Sequence, residues 1–307
     1  RRCAGDKRQV TFIARCRNSR AMNYRHAFHA GNFADVVKHI ALARILTYLH
    51  DKPAAFRVID THAGAGLYDL TSSEAERGGE WRTGIARLMQ ARLSEQVMAL
   101  VAPYLDIVRA FNPHRDLTAY PGSPLVTRAL LRPQDRLVAC ELEPNARRRL
   151  IDALYNDKQA RVVDLDGWTA LPAFVPPNER RGLVLIDPPF ESRDEFTRLA
   201  DGFSAAHAKW PTGIYMLWYP AKDRRATDSL ADHVARVANT DSSDVRCLRV
   251  EFSVAPQTAE SGLMSAGLLI VNPPWTLADE LRAILHELEK PLGLGGAGRF
   301  RVEALRA

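Results

Sequence analysis

The 307-residue sequence predicts an open α/β fold, and three observations carry that expectation. From residue 57 onward, short β-rich runs alternate with helical stretches. They are Arg57–Asp60, Arg136–Glu141, Ala160–Leu165, Gly182–Asp187, Gly213–Tyr219, Cys247–Val254 and Gly267–Asn272. Several are nearly continuous in apolar residues, such as Gly182-Leu-Val-Leu-Ile186, the pattern of strands covered on both faces in a mostly parallel sheet. A glycine turn, Asp60-Thr-His-Ala-Gly-Ala-Gly66, follows the first run directly, as in Rossmann-like folds.

Ahead of the sheet, Asn32-Phe-Ala-Asp35 reads as a helix N-cap with an acid at its third helical position. The helix runs through His39 to Leu49 and ends near Asp51-Lys-Pro53. Between the first and second runs lies a block, residues 68–122, of different texture. Its Leu93, Val97, Leu100, Val101, Tyr104, Leu105, Val108 and Phe111 recur at spacings of three and four, so a small inserted helical subdomain is expected there. Residues 22–307 form the expected domain that contains it.

A formal net charge of +6 suggests a nucleic-acid partner, but its location matters more than its size. Residues 1–21 hold seven basic side chains against Asp6 alone, so the remainder of the chain is neutral. That segment reads as a basic extension outside the fold, with Met22 as the start of the patterned sequence. Its apolar run, Val10–Ala14, is too short for a secretory h-region. No uncharged apolar stretch reaches the roughly 18 residues of a membrane span. Cys3, Cys16, Cys140 and Cys247 lack the C-x-x-C spacing of zinc knuckles, so no metal is expected. A cytoplasmic monomer is the expected form.

The glycine turn narrows the ligand. A dinucleotide fingerprint needs a third glycine where this chain has Asp69, which argues against NAD or FAD. S-adenosylmethionine has no pyrophosphate and needs only the tight turn at Gly64 and Gly66, with a carboxylate at the end of the second strand for its ribose. Glu141 is placed for that role if residues 68–122 are an insertion, since the usual interval is about 20 residues. Asp166 and Gly167, after the third run, would flank the adenine edge.

The most specific motif is Asp187-Pro188-Pro189-Phe190, at the carboxyl end of the fourth run. Two prolines end the strand and fix a rigid turn. An exocyclic amine on a nucleobase has its lone pair delocalised into the ring. The Asp187 carboxylate and a proline carbonyl can accept its two N–H bonds and turn that lone pair toward a methyl donor. Phe190 supplies a face for stacking the base. A near-copy, Asn272-Pro-Pro-Trp275, competes for this role and reads as structural, with a supporting base contact left open.

With these motifs in view, the chain resembles the bacterial family of 23S ribosomal RNA adenine-N6 methyltransferases known as RlmJ. The resemblance rests on Tyr24-Arg-His-Ala-Phe-His-Ala-Gly-Asn32, Asp35-Val-Val-Lys-His39, Asp60–Gly66, Tyr120-Pro-Gly-Ser-Pro124, Arg181–Pro189, Gly213-Ile-Tyr, Leu217-Trp-Tyr-Pro220 and Asn272–Trp275. It implies a Rossmann-like class I methyltransferase with a small inserted helical subdomain, using S-adenosylmethionine on 23S rRNA. It further implies cofactor contacts at Lys38, His39, His62, Ser123, Glu141, Asp166, Gly167 and Asp187, catalysis by Asp187, and an RNA-facing Tyr24. Lys38 and His39 would suit the methionine carboxylate, although a surface helix would look the same; Ser123 would equally serve as a helix cap. The family usually carries Tyr where this chain has Phe190, and Asp-Pro-Pro-Phe also occurs in guanine-N2 rRNA methyltransferases. That activity, and a catalytically silent RNA-binding module, are the alternatives.

Overall fold

The computed structural model describes residues 26–114, 116–239, 246–258 and 260–306. Tyr24 and the basic segment 1–21 lie outside them. Helix α1 (Phe33–Leu49) starts at the expected cap, where the Asn32 side chain accepts the Asp35 amide. Strand β1 (Arg57–Asp60) follows, then the short β2 (Leu67–Asp69). Four helices come next: α2 (Ser73–Gly78), α3 (Glu80–Thr83), α4 (Ile85–Gln90) and the long α5 (Glu95–Ala110). Strand β3 (Ala119–Pro121) pairs with β2 in a two-stranded ribbon and leads into α6 (Ser123–Ala129).

The chain then alternates through β4 (Arg136–Cys140), α7 (Pro144–Ala153), β5 (Ala160–Val163), α8 (Gly167–Phe174), β6 (Gly182–Ile186), α9 (Glu195–Lys209), β7 (Ile214–Pro220) and α10 (Arg224–Ala238). It closes with β8 (Cys247–Ser253), β9 (Ser265–Val271), α11 (Leu277–Leu292) and β10 (Arg299–Leu305).

The main sheet has the order β10-β8-β9-β7-β6-β1-β4-β5. Strands β5, β4, β1, β6 and β7 are parallel, whereas β9 runs antiparallel to both β7 and β8. This is a Rossmann-like arrangement with an antiparallel extension at one edge. Alternate residues of each strand feed two apolar layers. Val58, Leu183, Leu185 and Met216 pack with α1, α5 and α11; Ile59, Val184, Ile186 and Leu217 pack with α8, α9 and α10. The apolar stripe of α5, including Val97, Val101, Tyr104 and Val108, joins the first layer. The sheet order reverses between β4 and β6 around β1, so a crevice opens beyond the carboxyl ends of these strands, where α/β folds bind ligands.

Three strands lie outside the expected runs. β2 and β3 are only three residues each, and β10 alternates as Arg-Phe-Arg-Val-Glu-Ala-Leu, an edge pattern with no continuous apolar run. The antiparallel course of β9 bears on Asn272-Pro-Pro-Trp275, read from sequence as structural with a supporting base contact left open. Val271 pairs with Tyr215 near the start of β7, and the Asn272 side chain donates to the Pro211 and Gly213 carbonyls, so this tetrad sits on the sheet edge opposite Asp187. Among the described residues, no helix is long and apolar enough to cross a membrane, and no group of side chains could hold a metal ion.

Gly182 opens β6 at φ 151°, and a Cβ there would stand 1.8 Å from the Arg57 carbonyl oxygen. Gly182→Ala should therefore cost about 1–3 kcal/mol in backbone strain, with the steric clash in addition. Thermal unfolding of the variant should show a clear loss of stability.

Candidate active site at the switch point

The turn after β1 is held from three sides. Gly64 and Gly66 adopt φ of 65° and 76°, a conformation that side chains disfavour. The Gly64 amide donates to Glu141 Oε2 at 2.8 Å, and Oε1 accepts the Glu143 amide at 2.7 Å. Glu141, one residue past β4, thus ties the turn to its neighbouring strand, while burial raises its carboxyl above the ordinary range. From the insertion, the Tyr68 hydroxyl accepts the Ala65 amide at 3.1 Å, and the Gly122 amide donates to the Gly66 carbonyl at 2.7 Å.

His62 lies between the turn and α8. Its Nδ1 is 2.9 Å from the Thr61 hydroxyl, and its ring meets Trp168 edge-on at 5.2 Å. Burial, reinforced by Arg198, pushes its imidazole down to about 3, so the ring is neutral. A Cβ at Gly167 would come within 2.6 Å of that ring, which is why glycine starts α8. Asp166 takes the N-cap position without a capping bond, and the Thr169 hydroxyl is 3.4 Å from its carboxylate.

Ser123, expected as a cofactor contact or a cap, does not cap α6; Gly122 takes that position. Its hydroxyl instead donates to Asp60 Oδ2 at 2.7 Å. Asp60 is a site residue absent from the sequence expectations. It is fully buried at the end of β1, and burial, with the Asp187 charge nearby, pushes its carboxyl up to about 7 despite the Ser123 bond. The signal was the one that identified Glu141, an acid closing an apolar strand.

Helix α1 brings a cation to the same edge. Lys38 Nζ donates to Asp35 Oδ1 at 2.8 Å and to Asp187 Oδ2 at 2.5 Å. Burial opposes its charge, yet the Asp187 and Asp35 carboxylates hold the ammonium well above the ordinary lysine range. Burial likewise opposes the Asp35 charge, and Lys38 with His26 holds its carboxyl well below the usual range. His39 points elsewhere: its Nδ1 is 2.8 Å from the Tyr120 hydroxyl, which is 2.9 Å from that of Tyr104. Burial and the Lys38 charge push this imidazole down to about 3, and its Nε2 has no partner among the described residues. The structure therefore joins Lys38 directly to Asp187 and leaves His39 facing the insertion.

Beyond β6, Pro188 is buried and the backbone turns so that Phe190 adopts φ 51°. Its ring meets Phe196 at 4.9 Å and Trp218 at 5.7 Å, both at steep angles. Among the described residues, Asp187 Oδ1 has no hydrogen-bond partner.

Asp60 sets a pH dependence. Its folded pKa of about 7 exceeds the ordinary 3.8, so the folded state holds this proton more tightly, and the group's contribution to stability falls as pH rises through the interval between those values. Relative to Asp60→Asn, the native chain should lose stability between about pH 4 and 7. Equilibrium denaturation at several pH values measures the difference, and a constant difference would contradict this placement.

Comparison with known proteins identifies relatives of this chain. Residues 53–305 match the family model described as "Ribosomal RNA large subunit methyltransferase D, RlmJ". Ribosomal RNA large subunit methyltransferase J of Escherichia coli is 38% identical over 282 residues, covering 92% of this chain and 98% of that protein. The same-named protein of Haemophilus influenzae is 38% identical over 285 residues, with the same coverage. The crystal structure of protein LPL1258 from Legionella pneumophila superposes with a TM-score of 0.80 at 33% identity, covering 90% of this chain and 98% of that one. The chain belongs to the RlmJ family of ribosomal RNA large subunit methyltransferases.

Proposed function

We propose that this chain transfers a methyl group from S-adenosylmethionine to the N6 amine of an adenine in 23S ribosomal RNA. The observation that carries the reading is Asp187: it closes the strand beside β1, has one oxygen held by Lys38, and has the other available at the crevice.

The residues present fit the cofactor. Carboxylates from Asp60, Glu141, Asp166 and Asp187 gather at one sheet edge, suited to a ligand with a sulfonium, an ammonium and ribose hydroxyls. Glu141 would take the ribose, Gly64 and Gly66 let the main chain approach closely, and His62, Asp166 and Gly167 would form the adjoining wall. Ser123 acts through Asp60, whose carboxyl lies beside Asp187. S-adenosylmethionine, when bound, supplies a methyl group activated by its sulfonium.

On the acceptor side, Asp187 and the Pro188 carbonyl accept the two N–H bonds of the amine, which frees its lone pair for in-line attack. Lys38 fixes the carboxylate in place by its bond to Oδ2. As the N–CH3 bond forms and the S–CH3 bond breaks, leaving S-adenosylhomocysteine, the nitrogen loses a proton to the Asp187 carboxylate that accepts that N–H. Phe190 stacks the base once it has left its helix, and Tyr24 contributes an RNA contact. All these residues belong to one chain, so a monomer suffices, acting where ribosomal RNA is made, in the cytoplasm.

Asp187→Ala should abolish turnover while leaving much of the S-adenosylmethionine affinity, because the glycine turn and Glu141 are untouched. Radiolabel transfer to protein-free 23S RNA, with calorimetry for the cofactor, measures both; full activity would overturn the assignment. Nucleoside mass spectrometry of the product separates N6-methyladenine from N2-methylguanine.

A further inference from the structure

The acceptor side of the site has a wall that the Asp187–Phe190 turn does not itself supply. The last residue pair of the β6–β7 ladder is Ile186 with Leu217, so the next residues, Asp187 and Trp218, lie side by side where the two strands part. Strand alternation sends Leu217 and Tyr219 into the α9 and α10 layer and Trp218 to the opposite face. There its indole lines a small void of about 10 Å³ with Phe33, Val37 and Phe252. Lys38, whose ammonium holds Asp187, follows Val37 on the same helix.

Phe190 spans the two layers. Its ring centroid is 5.7 Å from that of Trp218 at 69°, and 4.9 Å from that of Phe196, on α9, at 64°. Neither neighbour lies parallel on it. A non-glycine residue keeps a left-handed backbone only where its surroundings determine it, and Phe190, at φ 51°, has these two rings against its side chain.

We propose that Trp218 is a positioning residue for the acceptor base. With Phe196 it fixes the orientation of Phe190, and it limits how far a base stacked on that ring can move toward α1. The proposal rests on the reading of Asp187 to Phe190 as the acceptor site. It predicts an effect on the base and none on the cofactor, whereas a merely structural indole would affect both.

The test uses the full chain with Trp218→Ala, Trp218→Phe and Trp218→Leu, alone and combined with Phe190→Ala. Misplacing an acceptor by about 1 Å costs on the order of a hundredfold in rate, so kcat on 23S RNA should fall roughly tenfold to a hundredfold in Trp218→Ala. S-adenosylmethionine affinity should stay within about twofold, and Trp218→Phe should recover most of the rate. Trp218→Leu keeps apolar bulk without a flat ring and should behave like the Ala variant, which secures the test if Trp218→Ala folds poorly. In the Phe190→Ala background the Trp218 changes should add less than about twofold, because no ring remains to orient. Adenosine monophosphate, titrated with S-adenosylhomocysteine bound, should bind more weakly to Trp218→Leu than to the native chain. Native kcat in Trp218→Leu, losses that multiply independently of Phe190→Ala, or a parallel loss of cofactor affinity would each overturn the proposal. Methylation of another base by the native chain would overturn the adenine reading alone, and the same double-mutant comparison on that base would still decide the role of Trp218.

Discussion

The site depends on a single buried ammonium. Lys38 bridges Asp35 and Asp187, and so joins the first turns of α1 to the end of β6, two elements far apart in sequence. The Asp35 carboxylate is itself fixed by the Gly31 amide and by His26, and its backbone amide completes the Asn32 cap. Lys38 is the shared partner: replacing it would leave the buried Asp35 carboxylate and Asp187 without their common cation, at a cost of about 3–5 kcal/mol. The same contact sets the orientation of Asp187.

A second consequence concerns the block between β1 and β4. It does not stand apart from the sheet. Its ribbon delivers Tyr68 to the glycine turn and ends at Gly122 and Ser123, which bind the Gly66 carbonyl and Asp60. Tyr104 and Tyr120 reach back to His39 on α1. The interruption that lengthens the interval between the glycines and Glu141 thus also supplies bonds that shape the turn. Long-range spacing and local geometry at this site have a common origin.

Much of the framework was legible in the sequence because local rules coincide there with tertiary ones. Asn32 caps α1, the apolar runs are strands, and Asp187 follows β6 as its two prolines require. The family resemblance added residues that no periodicity could pick out, such as Lys38. Other features resisted because their signal is not local. Trp218 reads as one apolar residue in a buried strand, and only the register beside β6 places it next to Asp187. His39 is adjacent to Lys38 in sequence but lies around the helix from it, and tyrosines from the insertion claim its ring. Asp60 has no local signal apart from its place at a strand end, because its full burial, unusual for a carboxylate, comes from the layers packed on both sides of the sheet.

The tetrads Asp187–Phe190 and Asn272–Trp275 show what strand polarity does to otherwise similar words. Each ends an apolar strand with two prolines, and each has one residue at φ 51°. The reversed course of β9 places the second tetrad on the sheet edge away from Lys38 and the glycine turn. Copying an active-site phrase onto an antiparallel neighbour therefore cannot create a second catalytic centre, however faithful the copy. In a sheet of mixed direction, what a motif can do depends on the edge its strand reaches as well as on its residues.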